Sequence, residues 1–443
     1  AMNHAWDGYR KYAFGEDEVL PATGGSTSHW GGLGVTLVDS LDTLWLMDMK
    51  DEFWEARDWV KNHLNFDKDV DASVFETTIR SLGGLLSAYD WSGDKVFLEK
   101  AQDLGDRLAK AFDAPGGIPL GQINLKTGVS THPGWLHRKI ILADMASLQV
   151  EFRHLAYVTG KQEYAKKAEN VFHKLKKIEP ENGLFPDLLN EVRNELQFAG
   201  KEISFGPFGD SFYEYELKIW LQGGRKEPMY REMYDRSIDG MHKEQLMNTS
   251  GLTYIRAGSS PRTFDHLTCF MGGLLALGAW SDPNGLTSEL AQRDLKTGKA
   301  LAYTCYQMYA RMPTGLSADQ VSMNGEEIVA TKNEYILRPE TVETFYILHK
   351  ITGDPIYRQW GWEIFQSIEK YCKTDIAYGK YGNVMNVNYK PQDSMESFFT
   401  AETLKYLYLL MDPDSEVDFE DHVFNTEAHP LNIHRKEDNS AAQ

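Results

Sequence analysis

Two kinds of helical segment alternate along this 443-residue chain, and that alternation limits the folds it can adopt. The first kind begins at a glycine-containing turn, after which apolar residues recur at spacings of three and four with charged residues between them. This pattern predicts amphipathic helices with one face in water. The four clearest examples are SGDKVFLEKAQDLGDRLAKAF from Ser92, TGKQEYAKKAENVFHKLKKI from Thr159, GGRKEPMYREMYDRSIDGM from Gly223 and TGDPIYRQWGWEIFQSIEKY from Thr352.

Segments of the second kind are apolar on nearly every side, which predicts buried helices. Seven of them, each followed by a surface helix, predict an all-α protein in which an inner ring is enclosed by an outer ring. The alternative is an open helical solenoid with a concave binding face. The buried segments begin at Asp39, Phe75, Leu142, Asp210, His266, Arg338 and Glu396.

Ionisable side chains lie at the starts of these seven buried segments. One carboxylate at such a position is typical of a helix cap, because the helix dipole and free backbone amides favour an anion. Ionisable residues at seven helix starts in register, which ring closure would bring together, indicate a functional face. The residues at these seven starts are Asp39, Asp42, Glu76, Arg80, Asp144, Asp210, His266, Arg338, Glu340, Glu396 and Glu402.

The connections into the buried segments are rich in glycine and partly alternate in hydrophobicity. They predict short β-hairpins on the face where the buried helices begin. The stretches are GGIPLGQINLKTG, GKEISFGPFGDS, GLTYIRAG, YILRPE and YGNVMNVNY.

The charge balance excludes several partners. There are 46 basic and 65 acidic side chains, a net charge of −19, which repels phosphate backbones and anionic lipid surfaces. No apolar run of about 18 residues occurs, and AMNHAWDGYR lacks a signal-peptide pattern, so we expect any native signal or anchor to lie outside these residues. We predict no nucleic-acid partner and no membrane contact by this domain.

Carbohydrate is the ligand class that the predicted functional face favours. Carboxylates and guanidinium groups hydrogen-bond to hydroxyls, and aromatic rings stack on the C–H surfaces of sugars. The chain has no phosphate-binding glycine loop, no G-x-S-x-G elbow, no H-E-x-x-H and no C-x-x-C. Cleavage of a glycosidic bond would use two carboxyl groups, one to protonate the leaving oxygen and one to activate water or attack carbon.

Eight phrases, in the same order along about nine-tenths of the chain, resemble class I α-1,2-mannosidases of glycoside hydrolase family 47. This resemblance implies an (αα)7 barrel in a single domain over 1–443, with the C-terminal segment at about 412–443 entering the barrel. The phrases are HAWDGYRKYAFGEDEVLP, LVDSLDTLWLM, FETTIRSLGGLLSAY, GDSFYEYELKIWLQGG, HLTCFMGGLLALGA, LRPETVETFYILHKITGD, MESFFTAETLKYLYLL and VFNTEAHP.

The resemblance implies an inverting hydrolysis of terminal α-1,2-linked mannose from high-mannose N-glycans. Glu76 and Asp210 would share the acid side, and Glu340 would be the base that activates the attacking water. Inversion needs room for that water, so the two working carboxyl groups should lie roughly 6.5–9.5 Å apart.

A Ca²⁺ ion is also implied by the resemblance. Thr426 in VFNTEAHP matches the only direct protein ligand, through its hydroxyl and carbonyl oxygens, while Glu402 and Glu427 would orient bound waters. The positions that match substrate contacts are Arg80, Phe208, His266, Arg338, Glu343, Phe398 and Glu402.

The three cysteines allow two interpretations from the residues alone. Cys269 and Cys305 either pair or remain two buried thiols, with Cys372 left over. The resemblance implies that they pair, and therefore a secretory compartment, in the Golgi or endoplasmic reticulum lumen, or secretion. Phe208 departs from the arginine of the endoplasmic-reticulum type, which predicts a Golgi-like or secreted fungal-like trimming range.

A second function is compatible with the same barrel. Some relatives act mainly in glycoprotein disposal, which would make this chain a mannose-glycan-binding degradation factor with little or no turnover. The presence of Glu76, Asp210, Glu340 and Thr426 favours the enzyme. We expect a monomer that acts on glycans attached to glycoproteins.

Overall fold

The structure, a computed structural model, describes residues 1–435, so the final part of the predicted segment 412–443 lies outside the described residues. The described chain separates into two compact units that are interleaved along the sequence. Unit 1 comprises 1–27, 205–207 and 241–415. Unit 2 comprises 28–204, 208–240 and the described residues from 416 onward. A single domain over 1–443 stays a prediction.

The described residues contain seventeen α-helices. They are α1 Met2–Ala13, α2 Val35–Asp39, α3 Leu41–Leu46, α4 Lys50–Asn62, α5 Val74–Glu76, α6 Gly83–Ser92, α7 Lys95–Leu108, α8 Leu142–Ala146, α9 Gln149–Thr159, α10 Glu163–Lys177, α11 Asp210–Gln222, α12 Pro228–Gly240, α13 Met271–Trp280, α14 Glu289–Ala310, α15 Glu340–Thr352, α16 Ile356–Tyr371 and α17 Leu404–Met411. Shorter 3₁₀ and π segments are Thr77–Leu82, Ala109–Asp113, Gly134–Leu136, Met241–Gln245, His266–Phe270 and Phe399–Thr403.

Fifteen short strands form small antiparallel sheets within one unit or the other. Unit 1 holds the sheets β1–β2, β9–β10 and β11–β12–β13, and unit 2 holds β3–β4–β5, β6–β7–β8 and β14–β15. The strands are β1 Glu18–Leu20, β2 Gly25–Thr27, β3 Asp71–Ser73, β4 Gln122–Asn124, β5 Ser130–Thr131, β6 Ile140–Ile141, β7 Leu188–Val192, β8 Glu195–Phe198, β9 Leu246–Thr249, β10 Leu252–Ile255, β11 Thr263–Asp265, β12 Gln320–Asn324, β13 Glu327–Lys332, β14 His422–Phe424 and β15 Pro430–Asn432.

Within unit 2, buried and surface helices alternate as predicted. Every residue of α11 except Asp210 is buried, so this helix meets protein on all sides and only its first residue is partly open. The preceding helix, α10, instead buries one stripe spaced by three and four residues, as an amphipathic surface helix should. That stripe consists of Tyr164, Ala165, Ala168, Val171, Phe172 and Leu175.

Unit 1 repeats the pattern with α13 and α15 buried and α14 and α16 amphipathic. Glycine permits close approach here, because a Cβ atom on Gly298 of α14 would lie 2.6 Å from the carbonyl oxygen of Gly272 in α13. The apolar, glycine-rich sequence of α13 is therefore the sequence of a helix packed tightly among others.

The hairpin predictions are confirmed only in part. β4 and β10 lie within two of the predicted stretches, but YILRPE and YGNVMNVNY form loops joined by isolated bridges. Tyr381 pairs singly with Tyr335 and with Pro391, and a proline cannot extend a hydrogen-bonded ladder. The hairpins β7–β8 and β12–β13 formed where we predicted none.

The C-terminal hairpin β14–β15 packs into unit 2. Ser87 of α6 donates a hydrogen bond to the carbonyl of Pro430 over 2.9 Å, and the turn between the strands is buried except at Thr426. Among residues 1–435, no helix has both the length and the apolar composition that a bilayer crossing requires.

Candidate active site

Glu76, which is predicted to share the acid side with Asp210, ends the short helix α5. Its backbone N–H donates to Ser73 Oγ over 3.2 Å, which caps the helix, and its side chain is about 29% exposed. A π-helical segment follows at once, a departure from α-helix that is frequent at functional sites. This segment carries Arg80, whose Nε donates to Glu76 Oε2 over 2.8 Å.

Arg80 links Glu76 to the C-terminal hairpin. Its Nη1 donates to Glu427 Oε1 over 2.8 Å and lies 3.7 Å from Asp39 Oδ2, while the guanidinium sits over the ring of Trp30. Burial alone would lower the pKa of Arg80, but the carboxylates of Glu427, Glu76 and Asp39 raise it well above its usual range. One buried cation therefore orients two of the predicted site carboxylates.

Thr426, the predicted metal ligand, lies beside Glu427 on the turn between β14 and β15. It is partly exposed, whereas Asn425, Glu427 and His429 are at most 2% exposed. Thr426 is thus a partly exposed residue in an otherwise buried turn.

Asp210, the third predicted carboxylate, is the first residue of α11, and its Oδ1 accepts a hydrogen bond from the N–H of Ser211 over 2.8 Å. Phe208, two residues earlier, has a φ of +76°, which is unusual for a residue with a side chain. Its carbonyl accepts from the N–H of Ala143 over 2.9 Å, and its ring lies 6.0 Å from that of Trp135. Trp135 is 64% exposed and was not predicted as a site residue.

Asp144, in the first turn of α8, also belongs near the predicted acid. Burial and the negative charge of Glu76 raise the pKa of Asp144 to about 7. We noted this residue at the start of a buried segment but did not assign it to the site. Its sequence signal, a carboxylate in register with Glu76, was present.

Glu340, the predicted base of unit 1, begins α15 and contacts a buried histidine. His266 Nδ1 lies 2.9 Å from Glu340 Oε2, and its Nε2 lies 2.7 Å from the hydroxyl of Tyr309 and 3.0 Å from that of Thr341. A carboxylate can only accept, so Nδ1 carries the proton and donates to Glu340. The hydroxyls on the opposite side then fix the plane of the ring.

Arg338 is held by a residue that the sequence did not single out. Its Nε donates to Asp319 Oδ1 over 2.6 Å, and its Nη1 lies 3.9 Å from Glu340 Oε1. Leu337 before it has a φ of +71°, and its carbonyl accepts from Thr403 Oγ1 over 2.6 Å. A left-handed leucine costs backbone strain, which is common next to functional residues.

The other predicted contacts in unit 1 are buried. Glu343 and Glu402 are 8% and 7% exposed, and Phe398 is 9% exposed. Phe398 immediately precedes the π-helical segment that holds Glu402, so both units place a predicted site carboxylate at a π segment. The predicted disulfide between Cys269 and Cys305 is confirmed, and Cys372 is free and buried.

Unit 2 therefore brings together Glu76, Arg80 and Glu427, and unit 1 brings together His266, Arg338 and Glu340. Sequence reasoning missed the residues that hold these groups in place. They are Asp39 as a partner of Arg80, Asp319, Tyr309, Thr341, Trp135, Asn425 and His429.

Comparison with known proteins agrees with this picture. The sequence-family model of glycosyl hydrolase family 47 matches residues 1–433 of this chain. A mannosyl-oligosaccharide 1,2-alpha-mannosidase of Arabidopsis thaliana is 44% identical over 99% of this chain and 78% of its own length. The endoplasmic reticulum mannosyl-oligosaccharide 1,2-alpha-mannosidase of Homo sapiens is 42% identical over 97% of this chain and 62% of its own length.

A solved structure agrees as closely. The alpha-1,2-mannosidase from Trichoderma reesei superimposes with a TM-score of 0.90 at 29% identity, covering 98% of this chain and 97% of that one. This similarity confirms the predicted all-α (αα)7-barrel fold. The family match, the curated relatives and the shared fold together establish that this chain is a glycoside hydrolase belonging to glycosyl hydrolase family 47.

Proposed function

We propose that this chain removes terminal α-1,2-linked mannose from high-mannose N-glycans, with inversion at the anomeric carbon and with Ca²⁺. The observation that carries the proposal is the family match over 1–433, together with relatives named as mannosyl-oligosaccharide 1,2-alpha-mannosidases. The proposed reaction uses three carboxylates at helix ends. Glu76 is the last residue of the short helix α5, and Asp210 and Glu340 are the first residues of the buried helices α11 and α15.

Glu340 acts as the general base. It takes a proton from a water molecule as that water attacks the anomeric carbon. The ring Nδ1–H of His266 orients one carboxylate oxygen of Glu340, and Arg338 lies near the other, so the base cannot rotate freely. Protonation of Glu340 would remove its capacity to accept the proton and so stop the reaction.

Glu76 and Asp210 form the acid side, which delivers a proton to the departing sugar oxygen. Arg80 fixes the carboxyl group of Glu76 by a 2.8 Å hydrogen bond. Asp144, whose pKa lies at about 7, holds a proton close to Glu76 near neutral pH. We assign proton delivery to the Glu76 and Asp210 pair, with Asp144 as a neighbouring carboxyl group whose pKa is raised by burial and by the charge of Glu76.

The residues around Thr426 fit a calcium ion. Ca²⁺ takes oxygen ligands, and the partly exposed residue Thr426 offers a hydroxyl and a backbone carbonyl, with Glu427 next to it in the chain. In the described part of the chain, no group of three or more His, Cys, Asp or Glu side chains is arranged as a metal site. In the proposed site, waters and sugar hydroxyls would supply the ligands that Thr426 does not. When bound, Ca²⁺ would orient sugar hydroxyls and polarise the waters around it. Glu402 and Glu427 would orient those waters.

The remaining predicted residues would contact the sugar. Phe398 would support the sugar ring, Glu343 and Arg338 would bind hydroxyls, and Phe208 would meet the outer branches. The disulfide of unit 1 supports our proposal that the protein acts in an oxidising secretory lumen, because disulfide bonds persist in such compartments. We propose a monomer that meets its substrate on glycoproteins.

The test is mannose release from α-1,2-mannobiose and from a nine-mannose N-glycan, before and after treatment with a calcium chelator. We expect release that the chelator stops and added Ca²⁺ restores, and a β-anomer as the first product by NMR. Glycan binding without release would favour the degradation factor instead. An α-anomer would contradict inversion.

A further inference from the structure

The turn that carries Thr426 is shaped by its own backbone and by the side chain of Asn425. The N–H of Asn425 donates to the carbonyl of His429 over 3.0 Å, and the N–H of Ala428 donates to the carbonyl of Asn425 over 3.2 Å. Ala428 has a φ of +57°, a left-handed conformation that favours glycine. An alanine there persists only when the surroundings impose the conformation.

Asn425 supplies the first of these restraints, because its amide uses both donors and accepts twice. Its Oδ1 accepts from the N–H groups of Glu427 and His429 over 3.0 and 2.8 Å. Its Nδ2 donates to the carbonyl of Ile79 over 2.9 Å and to Glu151 Oε1 over 2.7 Å. The turn is thereby attached to the π segment that carries Arg80 and to α9.

His429 supplies the second restraint. Its Nδ1 lies 2.7 Å from Asp42 Oδ2, and its Nε2 lies 2.9 Å from Asp39 Oδ1, with all three side chains fully buried. Both ring nitrogens face carboxylates, so both donate and the ring is an imidazolium. Two charge-assisted bonds from opposite edges hold the ring against rotation.

Two further contacts hold Thr426 and its neighbour Glu427 in place. The N–H of Thr426 donates to the hydroxyl oxygen of Tyr215 over 3.2 Å, and that hydroxyl donates to Glu151 Oε1 over 2.6 Å. Arg80 pairs with Glu427 on the other side of Thr426. Buried partners therefore hold the backbone of Thr426 itself as well as the residues on either side of it.

We propose that Asn425 and His429 are positioning residues that preform the Thr426 turn before any metal arrives. The proposal rests on the proposed calcium site at Thr426. When a metal has a single protein residue as its direct ligand, the free energy of binding from the protein is small. If that residue must first become ordered, the cost of ordering is subtracted from this free energy and weakens binding further. A turn already shaped by buried bonds removes this cost.

Two measurements test the proposal without using activity. In chelator, hydrogen exchange of the Glu427 and His429 amides should be slow in the wild-type protein. Calorimetric titration with Ca²⁺ should give a dissociation constant at least tenfold higher for His429→Gln and Asn425→Ala. The amides of both variants should exchange quickly in chelator and become protected again with Ca²⁺.

Ser87→Ala is the matched control. It removes a buried 2.9 Å hydrogen bond to Pro430 of the same hairpin but leaves the turn intact. It should lower the melting temperature in chelator without changing calcium affinity. If His429→Gln does not fold, the same two measurements are made on Asp42→Asn. This variant retains the shape and one acceptor oxygen of Asp42 but weakens its bond to the ring of His429.

The outcomes separate the two proposals. Wild-type protein that binds no Ca²⁺ would overturn the proposed metal site and the inference together. Calcium binding by the wild type with equal affinity in the His429, Asn425 and Ser87 variants would overturn the inference alone. Fast exchange of the turn amides in wild-type protein without metal would also overturn it.

Discussion

Arg80 and Glu427 form a 2.8 Å ion pair although 347 residues separate them in the chain. The pair joins the π segment after Glu76 to the turn that carries Thr426, both within unit 2. A change at Arg80 should therefore affect the predicted acid and the predicted calcium turn together.

We expect Arg80→Lys to lower kcat/KM by about 10- to 100-fold, because an ammonium cannot hold Glu76 and Glu427 in the fixed geometry of a guanidinium. Arg80→Met should also lower the free energy of unfolding by about 3–5 kcal/mol, since buried carboxylates lose their partner. Kinetics and urea unfolding measure both effects. Arg57→Lys, at a partly exposed ion pair with Asp94 that involves no predicted site residue, is the control and should change neither. Wild-type kinetics in Arg80→Lys would contradict the linking role.

Glu340→Gln should reduce kcat by about 10²–10⁴-fold with little change in KM, because the amide retains the shape but cannot accept a proton. Single-turnover kinetics, together with calorimetric binding of α-1,2-mannobiose, separate the two effects. Glu327→Gln makes the same chemical change at an exposed strand position and should be neutral. A normal kcat in Glu340→Gln would exclude this residue as the base.

Glu151 predicts a pH dependence of stability. Burial raises the pKa of Glu151 to about 7, although Tyr215 and Asn425 lower it by hydrogen bonding. A raised pKa in the folded state means that stability is fully present below the unfolded value and is lost as pH rises through about 7. Glu151→Gln cannot lose a proton, so we expect its melting temperature relative to wild type to be higher at pH 8 than at pH 5.

Thermal unfolding at pH 5, 6.5 and 8 tests this expectation. Glu163→Gln, on the exposed side of α10, is the matched control and should follow the wild-type curve. Parallel curves for wild type and Glu151→Gln would show that Glu151 does not hold a proton in the folded protein.

The exposed rings of Trp135 and Phe208 should influence large glycans only. Trp135→Ala should lower kcat/KM for a nine-mannose glycan by about fivefold, the value of roughly one aromatic contact, without affecting α-1,2-mannobiose. Chromatography of the isomers that accumulate during digestion measures the change. Trp362→Ala, an exposed tryptophan of unit 1, is the control. Equal losses on both substrates would indicate a general structural effect.

The main helices could be predicted because burial leaves a local record. The sequence of α11 is apolar on most sides and that of α10 has one polar face. In the structure, α11 is buried after its first residue, and α10 buries one stripe. Strand positions were harder, since β7–β8 is a short hairpin whose residues mix polar and apolar types. Short strands carry too few residues for their alternation to be distinct.

The contacts of the candidate site also differ in how far the sequence could predict them. The pairing of Glu76 with Arg80 follows from a spacing of four residues on one helix face, which a sequence reveals. The bonds of His429 to Asp39 and Asp42 cross 390 and 387 residues, and no local pattern indicates them.

The amino-acid sequence by itself determined which segments are helical, which of them are buried, and which family the chain belongs to, because those properties depend on periodicity and on residue types in order. Only the tertiary structure decided which side chains hold Glu340, Arg80 and the Thr426 turn. Those partners are selected by proximity after folding, and proximity between distant residues depends on how the helices pack.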